Sequence, residues 1–194
     1  MPGDAVMMLP VFLRLEDRPV LLVGGGPVAA AKLPALVEAG AQVTVVAPEV
    51  VPGIARPGVV VKTRPFADAD LDGMWYVVSA APPEVNRQVL AAAAPRRLFV
   101  NAVDDPAHAT AFAGGVVRRE GLTLAISTGG RAPALAGLLR EALEAWLPPD
   151  LDRWFATADR ARQVWRETGV PMEARRPQLL EALNRLYAGR VSQS

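Results

Sequence analysis

The stretch Pro19-Val-Leu-Leu-Val-Gly-Gly-Gly-Pro-Val-Ala29 decides the fold of this chain of 194 residues. It begins as a continuous apolar run, which is typical of a parallel strand buried on both faces. A glycine turn follows, and residues 28–39 then have a helical pattern that Gly40 ends. A second β-branched strand occupies Gln42–Ala47. Strand, turn, helix and strand predict a βαβ unit of about 30 residues.

The glycine turn satisfies the pattern G-x-G-x-x-A between a strand and a helix. Gly24 permits the tight turn, Gly26 lets the backbone approach a pyrophosphate, and Ala29 allows close packing of helix on strand. The pattern predicts a bound dinucleotide. The residues that we expect to contact it are Gly24, Gly25, Gly26, Pro27, Val28, Pro48 and Glu49.

The choice between NAD and NADP depends on the end of the second strand. Glu49 lies about 20 residues after the turn, where an acidic side chain binds the ribose hydroxyls of NAD. No Arg adjoins it to hold a 2′-phosphate, since Arg56 is the nearest. The sequence favours NAD.

Alternating strands and helices continue along the chain. Further strands are predicted at 59–63, 75–80, 98–103 and 121–128, and helices at 83–94, 133–147, 151–168 and 171–188. This order predicts an α/β protein with a Rossmann-like parallel sheet, covered on both sides, and a helical C-terminal region.

The composition excludes several classes of chemistry. The chain has no Cys and a single His, His108, which excludes disulfides, thiolate catalysis and metal sites built from Cys or several His. A net charge of +1 argues against a nucleic-acid partner. The sequence has no apolar stretch long enough for a membrane span and no secretory signal at its start, so we expect a cytoplasmic protein.

Three ordered blocks resemble the precorrin-2 dehydrogenase family, which includes the N-terminal part of siroheme synthases. The first combines the glycine turn with Glu38-Ala-Gly-Ala-Gln-Val-Thr-Val-Val-Ala-Pro48. The second is Asn101-Ala-Val-Asp-Asp-Pro106, and the third is the run from Leu122 to Ala136 that contains Ser127-Thr-Gly-Gly-Arg-Ala-Pro133. Together they cover residues 9–147 in the order and spacing of the family.

The resemblance implies NAD-dependent dehydrogenation of precorrin-2 to sirohydrochlorin, in the tetrapyrrole (porphyrin) pathways to siroheme or cobalamin. It also implies a homodimer with three regions. These are an NAD-binding Rossmann domain at 1–112, a small dimerisation region at 113–147 and the helical region at 148–194.

The resemblance also assigns roles to individual residues. Asp104 matches the main catalytic aspartate of the family, and its place after a strand suits a general base that takes the proton accompanying hydride loss. The expected substrate-binding residues are Ser127, Thr128, Gly129, Arg131 and His108. Arg118, Arg119 and Arg140 are further candidates for binding the carboxylates of the tetrapyrrole.

Simpler interpretations stand beside these. Asp104 or Asp105 would cap the turn before Pro106, Ser127 and Thr128 would cap a helix, and His108 would be a polar loop residue. Two other functions are also compatible with the pattern. One is a sirohydrochlorin ferro- or cobaltochelatase, alone or as a second activity, and the other is an NAD(H)-sensing regulatory module.

Overall fold

The structure is a computed structural model, and it describes residues 8–129 and 131–188. The strands are β1 (Pro19–Val23), β2 (Gln42–Ala47), β3 (Val59–Thr63), β4 (Tyr76–Ser79), β5 (Phe99–Ala102), β6 (Gly115–Arg119) and β7 (Leu122–Ile126). The α-helices are α1 (Pro27–Glu38), α2 (Pro83–Ala93), α3 (Pro133–Trp146), α4 (Leu151–Thr168) and α5 (Met172–Ala188). Short 3₁₀ helices occupy Asp68–Leu71, Ala94–Arg96 and Pro106–His108.

Five parallel strands form the main sheet in the order β3-β2-β1-β4-β5. The order reverses between β1 and β4, because β2 and β3 extend the sheet to one side of β1 and β4 and β5 extend it to the other. Ligands of open α/β sheets bind at the carboxyl ends of the strands beside such a reversal. This confirms the predicted α/β Rossmann-like fold.

Side chains of β1 alternate between two cores, one on each face of the sheet. Val20 and Leu22 pack with the α1 residue Leu33 on one face. Leu21 and Val23 pack with Val89 of α2 on the other face. Both faces are therefore dry, which explains why the β1 sequence is apolar at every position.

The chain divides into two compact units. One extends up to Gly114 and includes Ser127–Pro133, and it holds the five-stranded sheet. The other contains Gly115–Ile126 and the chain from Ala134 onward, with an antiparallel hairpin of β6 and β7 and the helices that follow. The predicted three-region division at 112 and 147 stays a prediction.

The second unit is held by contacts among its hairpin and helices. Arg119 at the end of β6 donates hydrogen bonds to the carbonyl oxygens of Leu147 and Pro149. Trp154 of α4 donates to the Tyr187 hydroxyl of α5, and the two rings meet edge to face. These contacts attach the hairpin to the segment between α3 and α4, and α4 to α5.

Every strand and helix predicted from the sequence is present, with ends shifted by no more than two residues. Strand β6 was not predicted, because the segment before it lacks periodicity. Its hairpin turn, Glu120-Gly121, also lacks the Asn-Gly or Asp-Gly pair that marks such turns most strongly.

Candidate active site

Gly24 places the end of β1 in direct contact with the end of β4. Its φ is +116°, and a Cβ atom at this position would lie 2.2 Å from the carbonyl oxygen of Ala80. The Ala80 amide donates a hydrogen bond of 2.8 Å to the carbonyl of Val23. Only glycine fits both this backbone conformation and this contact.

Gly25 packs against the segment that follows β2. A Cβ atom on Gly25 would lie 1.8 Å from the Glu49 carbonyl oxygen, and the Val51 amide donates to the Gly25 carbonyl at 2.8 Å. The structure thus brings the glycine turn and the predicted residues Pro48 and Glu49 together. Both Pro48 and Glu49 are exposed at this edge of the sheet.

Gly26 faces open space, in contrast to its two neighbours. Apart from its two chain neighbours, no heavy atom of the described residues lies within 4 Å of where its Cβ would stand. Helix α1 begins at the next residue, Pro27, and has neither a side-chain cap nor an acidic residue in its first turn. An uncapped helix N-terminus with room before it is a site for an anion. This cradle fits the pyrophosphate of a dinucleotide, with exposed Val28 beside it.

Asp104 occupies a sharp turn directly after β5, at the same edge of the sheet as the glycine turn. Its φ is +58°, in the left-handed region that Asp and Asn tolerate better than most residues. The Val103 amide before it donates to the Ser79 carbonyl of β4 at 2.8 Å. The side chain of Asp104 is exposed. The structure thus brings the carboxylate of Asp104 to the edge of the sheet where ligands of open α/β sheets bind.

Asp105, next to it, is engaged in a chain of polar contacts. The Asn86 side chain donates to Asp105 Oδ2 at 3.1 Å, and His108 Nδ1 lies 2.8 Å from Oδ1 and 2.9 Å from Oδ2. Buried Ser79 donates its hydroxyl to Asn86 Oδ1 at 2.6 Å. The hydrogen bonds from His108 and then from Asn86 hold the pKa of the Asp105 carboxyl below its usual range.

These contacts bear on the simpler interpretation of Asp105. Its side chain makes no capping hydrogen bond to the 3₁₀ helix that it precedes. Both carboxylate oxygens are directed instead to His108 and Asn86. Asp105 therefore connects a buried amide to a half-buried imidazole.

The loop that carries these groups is fixed at its far end as well. The amides of Thr110 and Ala111 donate to the Val100 carbonyl at 2.8 and 2.9 Å. The Val100 amide donates to Thr110 Oγ1, and the Asn101 side chain donates to the Ala111 carbonyl. Residues 104–109 thus form a short loop with both ends attached to β5.

The predicted substrate-binding segment forms a second turn in the same unit. Ser127 Oγ accepts the Gly129 amide, and Thr128 Oγ1 accepts the Ala132 amide, each at 3.2 Å. Gly129 has a φ of +64°, and Arg131 is exposed. Both hydroxyls accept from backbone and keep their own hydrogens to donate.

Two of the other arginines are already engaged in the second unit. Arg140 pairs with Glu144 at 2.8 Å and Glu141 at 3.2 Å, on its own helix. Arg119 is bonded to the carbonyls named above. Arg118 and Arg131 are exposed without such pairs among the described residues.

Ser79, Asn86 and Asp105 were not predicted as parts of the site. The sequence does contain an indication that Asn86 makes a buried polar contact. It lies three residues before Val89 and seven before Ala93, so an amide stands on the buried face of α2. A buried amide requires polar partners, and here they are Ser79 and Asp105.

Two further features are absent from the described residues. Within 8–129 and 131–188, no group of three or more His, Cys, Asp or Glu side chains is arranged to hold a metal ion. No helix in the same ranges has the length and apolar content to cross a membrane.

The fold and the glycine cradle define a dinucleotide-binding Rossmann protein, and comparisons with known proteins specify the class further. A family model described as "Putative NAD(P)-binding" matches residues 11–115, and one described as "Sirohaem biosynthesis protein central" matches residues 119–145. Siroheme synthase 3 of Aeromonas hydrophila subsp. hydrophila is 44% identical over 173 residues, which cover 87% of this chain and 37% of that protein.

Other relatives agree with these matches. Siroheme synthase of Methylobacillus flagellatus is 41% identical over 161 residues, covering 80% of this chain and 34% of that protein. The chain thus spans little more than a third of the length of these relatives. A solved structure titled "SirC, precorrin-2 dehydrogenase" matches with a TM-score of 0.68 and 26% identity, over 90% of this chain and 88% of that one.

The chain belongs to the precorrin-2 dehydrogenase and siroheme synthase family of NAD(P)-binding proteins. This confirms the resemblance that the three sequence blocks carry. The prediction of NAD as the cofactor is confirmed with it.

Proposed function

We propose that this chain catalyses the NAD-dependent dehydrogenation of precorrin-2 to sirohydrochlorin in siroheme biosynthesis. The observation that carries the proposal is the likeness to the precorrin-2 dehydrogenase SirC, which extends over 90% of the chain and includes both the Rossmann unit and the helices. A likeness confined to the sheet would support dinucleotide binding alone.

In this function the chain binds NAD through the cradle at Gly26 and the N-terminus of α1. Pro27 and Val28 lie at that helix start, and exposed Glu49 is the residue proposed to accept hydrogen bonds from the ribose hydroxyls. When bound, NAD supplies the hydride acceptor.

The proton that the substrate loses with the hydride is assigned to Asp104. Its carboxylate is exposed at the edge of the sheet where the glycine turn lies, and its backbone is fixed by the turn after β5. Ser127, Thr128, Gly129 and Arg131 are proposed to bind carboxylates of the tetrapyrrole through hydroxyl, amide and guanidinium donors. His108 completes the proposed substrate site.

The proposal extends to a cytoplasmic homodimer. Helix α3 lies within the proposed dimerisation region at 113–147 and carries four exposed apolar side chains, Leu135, Leu138, Leu139 and Trp146. A contiguous exposed apolar patch on a protein surface often marks a site of contact with another protein.

The direct test is a coupled assay with precorrin-2, NAD and the protein, in which sirohydrochlorin absorbance and NADH are recorded together. We expect the two products to appear in equal amounts. Absence of NADH at every NAD concentration contradicts the proposal. Parallel reactions with Fe²⁺ or Co²⁺ and sirohydrochlorin, without NAD, measure chelatase activity separately.

A further inference from the structure

The pair formed by Asp105 and His108 lies four residues or fewer from Asp104, and the proposed function gives it substrate contact through His108 but no part in proton transfer. An aspartate–imidazole pair supported by a buried amide is an arrangement that fixes a histidine for proton transfer.

The contacts determine which nitrogen of His108 is available. Asp105 accepts a hydrogen bond from Asn86 and is an ionised acceptor, since its pKa lies below the usual range. His108 Nδ1, at 2.8 Å, must then carry the hydrogen that Asp105 accepts. Nε2 has no hydrogen-bond partner among the described residues. In the neutral ring, Nε2 is then the nitrogen that carries the lone pair, on a side chain that is 23% exposed.

The position of the ring is as constrained as its tautomer. The 3₁₀ helix of His108 packs against α2 and β5. Asn86 holds Asp105 from α2 and is itself held by Ser79 of β4. The titratable residues of α2 are Glu84 and Arg87, and β5 carries none, so Asp105 is the carboxylate that orients the imidazole.

A flat tetrapyrrole placed over Asp104 would separate that carboxylate from water. The proton that Asp104 takes up then needs a route to solvent before the next turnover. We propose that His108 is a proton relay for the dehydrogenation, which accepts the proton from Asp104 on Nε2 and passes it to solvent, and that Asp105 is its positioning residue. The inference rests on the proposed function.

The transfer balances in protons and charge. The substrate loses a hydride to NAD and a proton to Asp104. The O–H bond of protonated Asp104 breaks as an N–H bond forms at Nε2, which regenerates the carboxylate and gives an imidazolium ion. The charge of Asp105 stabilises that ion. Loss of the Nε2 proton to water restores the neutral ring.

The experiment uses the full chain with the variants His108→Ala and Asp105→Asn, and Glu84→Gln as the matched control on the neighbouring helix. We expect His108→Ala to lower steady-state kcat by about tenfold or more while NAD affinity stays unchanged. Added imidazole at millimolar concentration should restore the kcat of His108→Ala in proportion to the imidazole concentration. The kcat of Glu84→Gln should equal that of wild type, and added imidazole should change neither. Asp105→Asn should lower kcat less, because the imidazole remains but is no longer fixed.

A single-turnover measurement separates the relay from other roles. In His108→Ala the first equivalent of NADH should form at the wild-type rate, and only later turnovers should be slow. Unchanged steady-state kcat in His108→Ala, or a loss that imidazole does not restore although circular dichroism is native, overturns the relay. Failure of wild type itself to form NADH contradicts the proposed function instead, so the two failures are distinguishable.

Discussion

At the residue scale, Gly25 and Gly26 are neighbours in sequence with opposite environments. A methyl group on Gly25 would overlap the Glu49 carbonyl at 1.8 Å, whereas one on Gly26 would meet no heavy atom of the part of the chain that the structure describes within 4 Å, its two neighbours in sequence aside. The first glycine is required by the fold, and the second leaves space that the fold itself does not use. Two substitutions therefore separate folding from cofactor binding.

We expect Gly25→Ala to lower the free energy of unfolding by about 2–3 kcal/mol, as overpacked sites do. Gly26→Ala should unfold like wild type but bind NAD more weakly by about tenfold or more, since its methyl group occupies the pyrophosphate cradle. Urea unfolding and a fluorescence titration with NADH measure the two effects. Equal NADH affinity of Gly26→Ala and wild type would show that the cradle does not hold the cofactor.

Asp104→Asn tests the assigned base without disturbing its turn. Asn tolerates the left-handed backbone at φ +58° as well as Asp does, so the variant should fold and bind NAD normally. Its amide does not accept the proton, and we expect kcat to fall by about 100-fold or more. The coupled precorrin-2 assay gives kcat, and NADH titration provides the control. Normal turnover would remove Asp104 from the catalytic role.

Asp70 is a carboxylate of the sheet unit that pairs with two cations, Arg64 and Lys62. It is buried, accepts from Arg64 Nη1 at 2.7 Å and from the Ala67 amide at 3.0 Å, and lies 3.3 Å from Lys62 Nζ. The hydrogen bond from Arg64 is the main cause that lowers the pKa of Asp70 to about 2. This ties the edge strand β3 to the 3₁₀ helix Asp68–Leu71.

We expect Asp70→Asn to cost about 1–2 kcal/mol at neutral pH, less than the full pKa shift implies because both cations are partly solvated. A lowered pKa stabilises the fold above the unfolded value of 3.8, and that stabilisation is lost as pH falls toward about 2. The difference between variant and wild type in urea unfolding should therefore shrink across this range. Exposed Asp68, changed to Asn, is the matched control, and an equal loss there contradicts the assignment.

At the element scale, the hairpin of β6 and β7 turns through two residues with positive φ. Glu120 has φ +47° and Gly121 has φ +84°, and Arg119 pairs with Leu122 across the turn. Two-residue turns with two left-handed positions favour Asn followed by Gly. Glutamate is therefore a poor residue for the first position.

Replacement of Glu120 by Asn should raise the free energy of unfolding by about 0.5–1 kcal/mol, because Asn adopts the left-handed conformation more easily. Gly121→Ala should lower it by about 1 kcal/mol. Thermal unfolding followed by circular dichroism measures both. If Gly121→Ala has the stability of wild type, the turn is not of this type.

The same hairpin shows where sequence reasoning reaches its limit. The strands of the main sheet were predictable because they are apolar on both faces and bounded by glycine or proline, as at β1 and β2. β6 has only one buried residue, Val117, and ends in two arginines, so its sequence has no comparable signal. β6 is a strand because it pairs with β7, the strand that follows it. A pattern within the β6 sequence alone does not show that pairing.

The candidate site, too, contains one part that the sequence predicts and one part that it does not. The glycine turn was predictable because its spacing is set by backbone geometry, which a local motif records. The contact between Asn86 and Asp105 joins residues 19 positions apart, and Ser79 comes from a third element. Such a network depends on how α2 lies against the sheet, and no single segment of the sequence contains that information.

At the scale of the whole molecule, α3 presents one face to its hairpin and leaves another uncovered. Gly115 of β6 approaches Ala136, where a Cβ atom would lie 3.2 Å from the carbonyl oxygen, and Ala136 is buried. The exposed α3 patch consists of Leu135, Leu138, Leu139 and Trp146, of which Leu138 is 65% and Trp146 78% exposed. Their spacing of three, four and seven or eight residues places them on one side of the helix.

In the proposed homodimer, the α3 patch of one copy of the chain contacts a second copy. We expect wild type to elute as a dimer in size-exclusion chromatography with light scattering, and Leu138→Glu to elute as a monomer, because a charge in a dry interface remains unpaired. Val164→Glu on α4 is the matched control, since Val164 is also an exposed apolar residue but lies outside the patch. A monomeric wild type, or equal dissociation by both variants, contradicts an interface on α3.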